Sequence, residues 1–248
     1  MAAALAGILG LVVGSFINVL IWRLPRGESV VFPPSHCPSC GHRLGPRDLI
    51  PVLSWLLLRG RCRYCRAPIT VSYPLVEAVT GATFAALVAV HGVHWRTAGY
   101  AVLAVILITA AGTDMRLRLI PNRLTIPAIA FALAWSAAVR VPHLTSSLLG
   151  LAIAGGLFLV IALLSRGGMG GGDVKLAAAA GAFLGLQYSL LGLLLAFIFG
   201  ALVGLVLMAL GKKRRKDYIP FAPFIAAGCL AAMLFGDPIL QWYLGIPR

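Results

Sequence analysis

The sequence predicts an all-α polytopic membrane protein, with about eight transmembrane helices and one small cysteine-rich insertion resembling a zinc knuckle. Three observations carry that expectation. Hydrophobic residues make up 60% of the 248 and the mean hydropathy is +0.95, whereas soluble domains run at roughly 45–50% apolar content. Apolar stretches near the length needed to cross a bilayer, about 20 residues, recur along the whole chain. The one sizeable polar region contains two C-x2-C pairs.

Eight spans are read at 3–22, 74–91, 98–113, 124–141, 146–165, 174–188, 189–210 and 219–241. The sixth is short, and only Gln187, Tyr188 and Ser189 separate it from the seventh. The N-terminal stretch lacks a positive leading region, and its basic cluster follows the apolar run. It is therefore read as a retained first span and not as a cleaved signal. The chain divides by polarity into a first helix (1–22), a cytoplasmic segment with four cysteines (23–72) and a seven-helix core (73–248).

The net charge of +14 would ordinarily raise nucleic-acid binding. Placement of the charges removes that need. When loops are assigned alternately to two sides, all of the 21 Lys and Arg except Arg96, Arg140 and Arg248 fall on one side. By the positive-inside rule that side is cytoplasmic and both termini lie outside. The basic run from Lys212 to Lys216 is then a topology anchor, with anionic lipid as a second contact.

The acidic residues number only seven, so each carboxylate inside an apolar stretch is a candidate functional group. Asp173 follows Gly170, Gly171 and Gly172 in the stretch GMGGGDVKLA, residues 168–177. Glycines without side-chain bulk would let a second backbone, such as an extended peptide, lie against this turn. The plainer role is capping of the following helix. Asp114 ends the third span in GTDMRLRLIPN. Two aspartates at the same ends of different helices can share a proton, one acting as base and the other as acid, and so activate water against an amide. The plainer alternative is two separate interface residues paired with Arg116, Arg118 or Lys175. Glu77, at the start of the second span, pairs with an arginine or has a functional role. Asn18 continues the small face of Gly7, Gly10, Gly14 and Ser15, where packing is the favoured role and substrate contact the minor one.

Cys37, Cys40, Cys62 and Cys65 form two pairs separated by 21 residues, a pattern that reads as metal ligation before disulfides. Four thiolates suit structural zinc, since they leave no open coordination position. The segment is too small to build its own core, which gives the ion a stabilising role. His36 and His42 flank the pairs as alternative ligands. Between the pairs, residues 49–58 are apolar but too short to span, and either lie along the membrane surface or pack on the knuckle. Cys229 is read as a small buried apolar residue.

Together these stretches resemble the bacterial type IV prepilin leader peptidases, which are GxGD intramembrane aspartyl proteases. The resemblance rests on GSFINVLIWRLP, the paired cysteines, IPVLSW, RGRCRYC, YPLVEAVTG, TDMRLRLIPN, GGGDVKLAAAAGAFLG and IPFAPFIAAG, which are spread in order along nearly the full length of the chain. It implies that Asp114 and Asp173 are catalytic and that the G-x-G-D motif falls on Gly170, Gly171, Gly172 and Asp173; Lys175, Asn18 and Glu77, read from their own positions, are candidates to support the substrate or the turn. It implies cleavage of the basic leader of prepilins or pseudopilins of pilus, secretion or competence systems, after glycine, at the cytoplasmic face of the inner membrane. It also implies S-adenosylmethionine-dependent methylation of the new N-terminus. No G-x-G-x-x-G after a strand marks a cofactor loop. The competing classes are a peptidase without methyl transfer, a transporter relaying protons or cations through the two aspartates, and a membrane-tethered zinc adaptor.

Overall fold

The computed structural model describes residues 1–165, 169–214, 217 and 219–244. Arg166, Gly168, Arg215, Lys216, Tyr218 and Arg248, used in the readings above, lie outside the described residues. The chain forms two compact units, Met1–Gly92 and Val93–Arg248.

In the first unit, α1 (Ala2–Arg23) and α3 (Ser72–His91) pack against each other, with a short helix α2 (Leu53–Leu57) in the segment between them. The glycines of α1 set the closeness of that packing. A Cβ on Gly10 would come within 2.8 Å of the Thr80 carbonyl oxygen, and one on Gly14 within 2.6 Å of Glu77 Cα. In a medium where apolar burial drives little, such close backbone approach supplies the association. Asn18 belongs to this seam: its Nδ2 donates to the carbonyls of Gly14 at 3.3 Å and Tyr73 at 3.1 Å. That is the packing role expected of it.

The second unit contains α4 (Trp95–Leu117), α5 (Asn122–Val139), α6 (Leu144–Leu164), α7 (Gly171–Ala209) and α8 (Ala222–Leu244). Seven helices of the described chain are long and apolar enough to cross a membrane. One of them, α7, contains two of the expected spans. Its 39 residues are interrupted at Gly185, with φ 72° and ψ −177°, a combination essentially confined to glycine. Contacts along α6 show that the chain reverses there. Gly155 lies against Ala178, and Gly150 against Gly181. Ser146 Oγ accepts the Leu186 N–H just past the break. Phe158, near the other end of α6, then meets Phe197. The second leg therefore runs back along the helix that the first leg ascended.

The turn lies at Gly185 and not at the polar residues 187–189 where the sequence placed it. Polarity normally marks a turn between spans, but Ser189 is buried within the second leg and donates to the Leu186 carbonyl. A positive φ performs the reversal instead. The first leg, residues 171–184, spans only about 21 Å at 1.5 Å per residue. It is nearly enclosed by its neighbours, with Leu176, Ala177, Ala179, Ala180 and Ala182 fully buried. In the second leg, Gly192 and Gly228 bring α7 and α8 together as closely as Gly150 and Gly181 join α6 and α7.

Candidate active site and metal centre

Asp114 lies in the last turn of α4, where Arg118 adopts a left-handed conformation and its N–H bonds the Asp114 carbonyl at 2.9 Å. This ends the helix and turns the chain toward α5. Asp173 lies in the first turn of α7. Both are buried, at 2% and 4% exposure. The loop after α4 covers the start of α7: Ile120 is buried, and a Cβ on Gly172 would meet its Cβ at 2.9 Å. Lys175 Nζ donates to Asn122 Oδ1 at 2.8 Å, a second tie between the two segments. These two ties bring the segment that follows Asp114 against the one that carries Asp173.

Each carboxylate is held by a backbone donor. Asp114 Oδ2 accepts the N–H of Ala222, the first residue of α8, at 3.1 Å. Asp173 Oδ2 accepts the Gly170 N–H at 3.2 Å, while its own amide donates to the Gly170 carbonyl at 3.1 Å. Capping of its own helix is therefore real, but it uses one oxygen only. Among the described residues Asp173 Oδ1 is buried with no hydrogen-bond partner, an arrangement costly enough to call for a functional account. The three glycines divide the work. Gly172 admits Ile120, whereas a Cβ on Gly171 would meet nothing within 4 Å.

The four cysteines come together in the first unit, with all sulfurs within 4.8 Å of one another. The two pairs are built alike. In the first, Gly41 N–H bonds the Cys37 carbonyl and Cys37 N–H the His42 carbonyl. In the second, Arg66 N–H bonds the Cys62 carbonyl and Cys62 N–H the Ala67 carbonyl. Gly41 and Arg66 occupy the same position with φ 70° and 62°. Cys37 Sγ and Cys65 Sγ are 3.8 Å apart, which matches the edge of a sulfur tetrahedron around an ion bound at about 2.3 Å. The donor set thus fits a closed tetrahedral metal. The histidines take other places: His42 stacks on Tyr64 with ring centroids 3.6 Å apart, and His36 Nδ1 lies 3.1 Å from the Pro34 carbonyl. Asp48 bridges the first pair's side to the second, taking Arg63 Nε at 2.6 Å and Tyr64 OH at 3.1 Å. The Arg63 hydrogen bond holds the Asp48 carboxyl below its ordinary range.

Comparison with known proteins decides the family. Residues 8–91 match the Bacterial Peptidase A24 N-terminal domain, and residues 101–205 match the Type IV leader peptidase family. The chain is 40% identical over 241 residues to a prepilin leader peptidase/N-methyltransferase of Bacillus subtilis (strain 168), covering 96% of each chain. It belongs to the type IV leader peptidase family. Relatives with the same name in Burkholderia pseudomallei (strain K96243) and Aeromonas hydrophila are 38% and 36% identical, covering 96% and 97% of this chain and 87% and 93% of theirs. No solved structure matches the chain significantly.

In this leader peptidase family member, the matched N-terminal region holds the cysteine cluster, and the matched peptidase region holds both aspartates. Among the described residues Glu77 forms no ion pair with an arginine. Its Oε2 accepts the Val52 N–H at 2.7 Å. The backbone donor at Ala222 was not foreseen. Its signal was IPFAP, whose prolines marked only a helix start; a free amide between Pro220 and Pro223, in a chain with few carboxylates, is the feature that points to it.

Proposed function

We propose that this protein is an intramembrane aspartyl endopeptidase that removes the basic leader of type IV prepilins or pseudopilins after glycine, and that it then N-methylates the exposed amine. The carrying observation is the pair of buried carboxylates, each held through one oxygen, with Asp173 Oδ1 left unpartnered. A pair sharing one proton suits amide hydrolysis. The ionised carboxylate takes a proton from water as its oxygen adds to the scissile carbonyl carbon. The protonated carboxyl supports the carbonyl oxygen and then passes its proton to the departing amine, which leaves as the C–N bond breaks. The glycine edge at Gly170 and Gly171 accommodates the extended leader, and the tie between Lys175 and Asn122 holds the two aspartate-bearing segments in register.

The names of the relatives support both activities, and neither transport nor a purely adaptor role is favoured. Zinc is the metal best suited to Cys37, Cys40, Cys62 and Cys65. These thiolates would hold it as a closed structural ion, which when bound fixes the shape of the segment and supplies no open site for reaction. S-adenosylmethionine is the methyl donor in this reading. The positive-inside distribution supports a reading in which the aspartates and cysteines lie at the cytoplasmic face of the inner membrane, with both termini outside.

The deciding experiment incubates the purified protein in lipid with a prepilin leader peptide, with and without S-adenosylmethionine. The expected products are a leader ending in glycine and a mature peptide one methyl group heavier when the donor is present. An uncut peptide, in protein shown to be folded, would overturn the peptidase reading.

A further inference from the structure

Residues 49–58 carry an unusual surface for a polar insertion. Leu49, Ile50, Leu53, Leu56 and Leu57 are all exposed, Leu57 at 73%. The knuckles beside them expose Arg43, Arg61, Arg63 and Arg66 instead. A contiguous set of this kind in water marks an interaction site.

Three side chains fix the segment from its other sides. Asp48 binds Arg63 and Tyr64 of the second knuckle. Trp55 Nε1 donates to the Ile69 carbonyl at 3.1 Å. Glu77, only 8% exposed, accepts the Val52 N–H. The backbone at that contact is strained. Val52 is a β-branched residue with φ 61° and ψ −51°, and the Leu53 N–H bonds the Pro51 carbonyl at 2.6 Å. This is a γ-turn of the rare, positive-φ kind. Strain of this sort persists where the surroundings over-determine it, and here a buried carboxylate takes the N–H of the strained residue.

Glu77 also sets the depth. It is the sixth residue of α3, a candidate membrane span from its first residue, and helical side chains lean back toward the N-terminus. Val52 therefore lies level with the first turns of α3, where Leu75 and Val79 are themselves exposed.

We infer that residues 49–58 are seated in the lipid interface of the bilayer that α1 and α3 cross, with the leucines toward the acyl chains, and that Glu77 is the positioning residue that seats them. The occupant is lipid because the exposed leucines lie level with the exposed Leu75 and Val79 of α3, and because arginines border them as they border interfacial segments.

The test places a nitroxide-bearing amino acid at Leu57, or in a second protein at Leu56, in the full-length metal-loaded protein, one copy per lipid nanodisc. Collision rates with oxygen and with a water-soluble nickel chelate are measured, with Leu75 as the lipid control and Arg43 as the aqueous one. The expected oxygen-to-nickel ratio at Leu57 matches that at Leu75 and is several-fold above that at Arg43. A ratio like Arg43 overturns the seating. Shielding from both reagents does so too, and shielding that appears only with two copies per disc would assign the surface to a second copy. Glu77→Ala should lower the ratio at Leu57, and Glu77→Gln, which keeps an acceptor, should preserve it. If the alanine variant does not fold, Glu77→Asp, too short to reach Val52, takes its place. An unchanged ratio in a folded Glu77→Ala or Glu77→Asp protein removes Glu77 from the anchor role.

Discussion

The amide of Ala222 donates to Asp114 Oδ2 at 3.1 Å, so the first carboxylate of the pair also caps helix α8. An anionic group is favourable at a helix N-terminus, where unpaired amides and the helix dipole converge. The contact joins residues 108 positions apart and holds the carboxylate through Oδ2. Asp173 is fixed likewise by Gly170. The two aspartates are thus oriented by different backbone donors, and on the proposed function they act as one unit.

From that follows non-additivity. Asp114→Asn and Asp173→Asn should each lower kcat/KM for leader cleavage by at least about a thousandfold, within the range of acid–base contributions. The double variant should be hardly worse than either, because members of one unit fail together. Single-turnover cleavage of a leader peptide measures this. A folded Asp173→Asn protein with near wild-type cleavage would sink the pair.

Loss of one thiolate should separate structure from chemistry. Cys40→Ser should lower zinc per chain, measured by metal analysis, and increase proteolysis within residues 23–72. Cleavage should fall far less than in Asp173→Asn, and methyl incorporation should fall more than cleavage. Chelation of the wild type should reproduce the pattern. A metal-free wild type with free thiols and full methylation would exclude the knuckle.

Gly185→Ala should destabilise the protein by about 1–3 kcal/mol, because its φ and ψ are strained for any residue with a Cβ. The new methyl would also press on Ser146 Oγ and Pro142. Thermal unfolding in detergent should show a lower midpoint, whereas Gly171→Ala, facing open space, should leave it nearly unchanged.

Sidedness gives a fourth test. Labelling of cysteines introduced at Arg63 and Lys212 should succeed from the cytosol, and labelling at His143 from the outside. Reversal of the chain at Gly185 makes the number of crossings even, so a Lys212 site reactive only from outside would contradict the two-legged α7.

Much of this was legible in the sequence, for physical reasons. Charge is expensive in lipid, so Asp114 and Asp173 stood out in apolar stretches, and metal ligation needs short fixed spacings, so the cysteines declared themselves. The partners of those groups were not legible. Ala222 binds Asp114, and Val52 binds Glu77, through backbone amides, which every residue other than proline carries and which composition cannot distinguish. The turn is expected a few residues late because Gln187, Tyr188 and Ser189 are polar, whereas it is made by a single glycine, and two of these three polar residues find partners within the bundle. Tyr188 donates to Asp237, and Ser189 to the Leu186 carbonyl.

The reversal at Gly185 also constrains how the chain enters the membrane during synthesis. The leg 171–184 is too short to span an intact bilayer, and its charged residues, Asp173 and Lys175, both lie at its start. No polar loop separates it from the leg that follows. An insertion machine reading one segment at a time would find in the first leg no independent span and in the junction no stop. The two legs are therefore expected to enter together as a helical hairpin. On that order of insertion the aspartate at the head of the first leg reaches its final depth only as the hairpin closes, so the pair of carboxylates is not assembled before then.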